Sequence, residues 1–146
     1  MDVLRTIHAH NKYLVLLLLV VTAVVMLLTA ARGRDYGKLQ RALFGSTHGF
    51  MGLQVVLGTV LVFSMGLVPY RIEHLGIMLV AFGLMHVPLK WKRETGPERS
   101  RKTGLVVLGV LALIVVGILR LPFPFFGLPH AAASAPAAVS APATTP

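Results

Sequence analysis

Four long apolar runs govern what this chain can fold into. They occupy residues 13–31, 47–68, 72–89 and 104–119. Each is near the ~20 residues a helix needs to cross ~30 Å of hydrocarbon, and the fourth is the shortest. None shows the strict alternation of a barrel strand. In lipid the backbone groups of each segment must be satisfied within it, so the runs read as helices. Composition agrees: 55% of the 146 residues are hydrophobic, 13% are charged, and mean hydropathy is +0.77. A soluble domain of this size would leave too much apolar surface in water. The expected fold is an all-α membrane protein, an antiparallel bundle of four transmembrane helices over residues 1–128. The tail 129–146, rich in Ala, Pro, Ser and Thr, is expected to be disordered. The first run is too long for a signal-peptide core, and no clear small-residue cleavage site precedes the basic "RGR" at 32–34.

The 14 basic residues sort by loop. Arg32, Arg34, Lys38 and Arg41 lie between the first two runs, and Lys90, Lys92, Arg93, Arg99, Arg101 and Lys102 between the last two. Only Arg5, Lys12, Arg71 and Arg120 fall on the other side. The positive-inside rule therefore places the first and third loops in the cytoplasm of a cell membrane, with both termini and the turn around Pro69 outside. The net charge of +9 is read as this asymmetry, with lipid and not nucleic acid as the partner. The sequence has no cysteine, which excludes disulfides, iron–sulfur clusters and thiolate metal sites. Ser46 or Thr47 is the expected cap of the second helix and Thr103 of the fourth. Gly49, Gly52, Gly58, Gly76 and Gly83 are candidates for close helix approach.

Histidine is disfavoured in hydrocarbon and needs a reason to be there. On this topology His8, His10 and His74 fall at the outer end, His48 and His86 at the inner end, and His130 in the tail. The first and third helices run parallel and are diagonal in a four-helix bundle. A histidine from each can approach the bundle axis from opposite sides, which is what a b-type haem requires: two axial imidazoles with a flat porphyrin between helices. Lys12 and Arg71 are placed to meet the propionates, and Glu73 is a candidate orienter of His74. On depth alone His10 matches His74 better than His8 does. His74 lies about 24 Å along its helix from Lys90, and His8 about 36 Å along its helix from Arg32. From His74 to His86 is about 18 Å of rise and about 120° of rotation, so a second haem at His48 and His86 is the weaker extension of the same idea. Gln54 reads as an interhelical hydrogen-bonding residue.

The motifs "IHAHNKYLVLLLLV", "GLQVVLGTVLVF" and "YRIEHLGIMLVAFGLMHVP" resemble the four-helix half of haem A synthase. They resemble more closely a small four-helix membrane group labelled "cytochrome B". The similarity spans about residues 4–125. It implies His8, four residues before the basic–aromatic pair Lys12–Tyr13, and His74, in the pair Glu73–His74, as haem ligands. The sequence departs from the group at Gly52, where a histidine precedes the "LQ" pair, and His48 lies one turn earlier. Haem A synthase has two such bundles, and this chain has one.

The function expected is an integral-membrane b-type haem protein that carries electrons to or from a quinol, a cytochrome or an oxidase subunit. Its axial ligands are His8 and His74, with His10 as substitute. No nucleophile or acid–base pair stands out, so no catalytic activity of its own is expected. Two other readings fit the same sequence. One is a haem-handling, haem A synthase-like partner in oxidase assembly, acting as a homodimer that imitates the two-bundle enzyme. The other is a cofactor-free accessory subunit of a membrane complex.

Overall fold

A computed structural model describes residues 2–121. Over that range it is helical, with no strand: α1 (Asp2–Ala31), α2 (Lys38–Met65), α3 (Pro69–Leu84), a 3-10 helix (Val87–Trp91) and α4 (Pro97–Leu119). Four segments are long and apolar enough to cross a membrane, the third being α3 continued through the 3-10 helix to Trp91. The aromatic stretch at 122–126, His130 and the tail lie outside the described residues.

Three of the helices begin well ahead of their apolar runs, and this overturns the expected caps. Thr47 lies inside α2 and Thr103 inside α4, both fully buried, and Ser46 also lies within α2. The true start of α2 is Gly37, whose N–H donates to Gln40 Oε1 at 3.0 Å. Gln40 Nε2 in turn donates to Thr29 Oγ1 of α1 at 2.8 Å. α4 and α3 start on Pro97 and Pro69, where the missing N–H is one the first turn leaves unpaired anyway. Thr47 instead serves the helix pair: its hydroxyl bonds the Leu43 carbonyl at 2.8 Å and meets Thr22 Oγ1 at 2.7 Å.

Consecutive helices are antiparallel, as the cross-contacts show. Along α1 and α2, Asn11 meets Gln54, Thr22 meets Thr47 and Thr29 meets Gln40. Along α3 and α4, His74 meets Gly117 and Glu73 meets Arg120. α1 packs on α4 and α2, and α3 on α2 and α4, so α1 and α3 face each other across the bundle diagonal. Leu19, Met26, Met51, Met85, Val107 and Val110 fill the centre. Two glycines of α4 set its distance from its neighbours. A Cβ at Gly104 would lie 2.9 Å from Leu27 Cδ2, and one at Gly117 would lie 2.6 Å from Met78 Cε. Of the glycines picked out for close approach, Gly52 and Gly58 fill that role, against Phe82 and His8. Gly49, Gly76 and Gly83 face nothing within 4 Å of a Cβ.

The two basic loops are tied together by one buried cation. Arg99, 8% exposed, donates from Nη1 to the carbonyls of Lys92 and Glu94 at 2.9 and 2.8 Å. Its guanidinium lies 3.9 Å from the Tyr36 ring centroid, and the Tyr36 N–H donates to Thr95 O at 2.6 Å. Burial pushes the Tyr36 phenol above its ordinary pKa, so it stays neutral in this contact at physiological pH.

Candidate functional site

At the opposite end, where the 66–68 turn lies, the four helices enclose a cavity of about 330 Å³. That lies within the range of cofactor and ligand pockets. Apolar side chains from all four helices form most of its wall, among them Leu16, Val55, Met78 and Ile118. The polar groups are few: His8, His74, Gln54, Tyr70, Arg5, Lys12 and Arg71, with no carboxylate among the described residues of the wall. A greasy chamber with three cations suits an amphipathic anion, with its apolar body inside and its acidic groups at the cationic positions.

The two histidines of this wall come from the diagonal helices. His74 on α3 lies 3.0 Å, through Nδ1, from the carbonyl oxygen of Gly117 on α4. A carbonyl only accepts, so Nδ1 carries the proton and Nε2 keeps a lone pair. The close approach needs the bare backbone at Gly117. His8 on α1 is seated against Gly58 of α2, where a Cβ would fall 3.1 Å from the imidazole Cε1. Gln54 Nε2 lies 3.2 Å from His8 Nε2 and donates to the His8 carbonyl at 3.1 Å. Gln54 is fixed in turn by Asn11 Nδ2, which donates to its Oε1 at 2.8 Å. His8 Nε2 is therefore an acceptor, and both imidazoles have the tautomer that offers Nε2 to a metal. His8 Nδ1, the nitrogen that then carries the proton, is buried without a hydrogen-bond partner, a cost this tautomer bears whether or not Nε2 meets a metal.

The other residues singled out in the sequence fall elsewhere. His10 is exposed, turned back on its own helix with Nδ1 2.8 Å from Thr6 O, and is not in the cavity wall. Glu73 does not touch His74; it forms a surface ion pair with Arg120, at 2.6 Å between Glu73 Oε1 and Nη2. Arg71 donates from Nη1 to the carbonyls of Met65 and Gly66 at 2.5 and 3.0 Å, which holds it at the cavity's end. Lys12 lies 4.8 Å over the Tyr13 ring. His48 and His86 form an aromatic cluster near the basic loops, edge to face with centroids 4.6 Å apart. Phe82 packs against both, at 5.2 and 4.9 Å. The two rings are in edge-to-face contact with each other.

Arg5, read from the sequence only as one of the few basic residues of the outer side, is a third cation of the cavity wall, and two further residues of the site escaped the sequence reading. Asn11 looks like an interfacial polar residue beside Lys12. Gly117 is one glycine in an apolar run, and its role lies in its carbonyl. The only sequence signal for either is position: Asn11 stands three residues after His8, and Gly117 three before Arg120.

No family model, curated protein or solved structure matches this chain. The fold and the site nonetheless define a class. It is a four-helix bundle of membrane-spanning length, with a two-histidine, cation-bearing cavity at the end away from its basic loops.

Proposed function

We propose that this chain is a multi-pass protein of the cell membrane that binds one b-type haem between His8 and His74 and passes electrons through it. The supporting observation is the pair itself: imidazoles from diagonal helices, in one apolar cavity, each held by its neighbours with Nε2 as the unprotonated nitrogen. That is the donor set a low-spin haem takes. Hydrogen-bonded partners commonly fix the tautomer of a ligating histidine, and the Gly117 carbonyl does so for His74. Arg5, Lys12 and Arg71 supply positive charge for two propionates. When bound, the group supplies a one-electron redox couple; the protein's part is to bind it, orient it and keep water from it.

The basic loops set the orientation. With them in the cytoplasm, the cavity lies near the outer surface. The electron partner is then a quinol, a soluble cytochrome outside the membrane or an oxidase subunit. A reduced-minus-oxidised absorption spectrum of the purified protein tests this reading. A b-type α band, lost in His74→Ala, is expected. A purified, folded protein with no such band, and none after incubation with hemin, contradicts it.

A further inference from the structure

The polar chain Phe50–Asn11–Gln54–His8 runs in one direction only. Amide side chains can be turned over, so each link needs an anchor whose chemistry is not in doubt. Two backbone carbonyls provide it. Asn11 Nδ2 points to Phe50 O at 3.2 Å, and a carbonyl accepts, so that atom of Asn11 is the amide nitrogen. The same nitrogen reaches Gln54 at 2.8 Å, so Gln54 presents its oxygen there. Gln54 then presents its nitrogen to the His8 carbonyl at 3.1 Å, which again only accepts. With both ends fixed, the second proton of the Gln54 amide points to His8 Nε2 at 3.2 Å. An amide nitrogen does not accept, so His8 Nε2 must. Asn11 is 8% exposed, and Gln54 and His8 are half-buried in the cavity wall.

We infer that Gln54 is a positioning residue for His8: it holds the imidazole in the Nδ1–H tautomer and reserves the Nε2 lone pair for an incoming metal. The amide meets that lone pair as a weak donor at 3.2 Å. A metal at His8 Nε2 would take the place of this one bond, and Gln54 would keep its bond to the His8 carbonyl. The part of the inference that concerns iron rests on the haem reading; the tautomer of His8 does not.

The test is a long-range proton–nitrogen NMR correlation on the haem-free full chain, labelled at histidine nitrogens, in detergent at about pH 8.5, above the usual histidine range. The wild-type protein should show the His8 proton on Nδ1. In Gln54→Glu a carboxylate oxygen faces His8 Nε2 and the proton moves there. His74 keeps its own tautomer through Gly117 and reports that the bundle is intact. Hemin titration of the same samples should show affinity for Gln54→Glu reduced 10- to 100-fold, the usual effect of losing an outer partner of a metal ligand. If Gln54→Glu loses the His74 signature, Asn11→Ala takes its place. That variant frees the Gln54 amide to turn over, and the expected result is a mixture of His8 tautomers.

A wild-type proton on His8 Nε2 overturns the inference, and so does a tautomer unmoved by Gln54→Glu. Equal hemin affinity despite a moved proton overturns the role toward iron. A tautomer that moves as expected while neither protein takes up hemin leaves Gln54 positioning His8 and removes the haem reading alone.

Discussion

His74 of α3 donates from Nδ1 to the carbonyl oxygen of Gly117 on α4, at 3.0 Å. A side chain on residue 117 would press on α3, since a Cβ there would lie 2.9 Å from Ile77 Cγ2 and 2.6 Å from Met78 Cε, the movable end of its side chain. Gly117→Val should therefore destabilise the bundle by about 1–3 kcal/mol and weaken hemin binding at least tenfold. Gly109→Ala, on the same helix with nothing within 4 Å of its Cβ, should leave hemin binding unchanged and cost no stability, since alanine favours the helix by up to about 1 kcal/mol. Hemin titration and thermal unfolding in detergent measure both. Equal effects from the two substitutions would show that the His74–Gly117 contact has no special role.

The histidines should divide sharply under alanine substitution. His8→Ala and His74→Ala each remove a cavity imidazole and should abolish the b-type band. His10→Ala, at an exposed side chain bonded to its own helix, should keep the full band. His48→Ala and His86→Ala disturb an aromatic cluster away from the cavity and should also keep it. A halved haem content in either of those two would point to a second haem at the inner pair. Absorbance of equal amounts of each purified variant decides the matter.

Two buried polar contacts should differ in weight. Arg99→Leu leaves the carbonyls of Lys92 and Glu94 without their donor and strips the cation from the Tyr36 ring. The expected loss is about 3 kcal/mol, with the Tyr36 N–H bond to Thr95 O left to tie the two loops. Thr22→Val removes one hydroxyl from a pair in which Thr47 keeps its bond to Leu43. Hydrogen bonds between membrane helices average about 0.6 kcal/mol, so the loss should be near that. Unfolding in a mixed-micelle denaturant series compares the two.

The orientation is tested with single cysteines, since the chain has none of its own. A membrane-impermeant thiol reagent should label Leu67→Cys in intact cells and Thr95→Cys only after the membrane is permeabilised. The reverse pattern would place the cavity on the cytoplasmic side and contradict the charge argument.

The bundle was legible in the sequence because hydrocarbon length and backbone satisfaction leave few choices for four apolar runs. The helix starts were not. Residues 2–12, 38–46 and 97–103 are helical but carry mixed polarity, so hydropathy ends before the helix does. Gly37 with Gln40, and Pro97, mark the real starts through local chemistry that Ser46, Thr47 and Thr103 appeared to offer. Depth along an ideal helix favoured His10 as the partner of His74, whereas the cavity wall contains His8. A 30-residue α1, about 45 Å at helical rise, exceeds the hydrocarbon thickness, so distances from the basic loops do not fix depth. The hydrogen-bond partners of the two cavity histidines were the least legible, since one is a backbone carbonyl and the other depends on how two amides are turned.

The most direct measurement is the ratio of haem to polypeptide, by pyridine haemochrome and amino-acid analysis, in purified wild-type protein and in His8→Ala and His74→Ala. A ratio near one in the wild type and near zero in both variants is expected. A wild-type ratio near zero, or haem retained in full by both variants, contradicts the account.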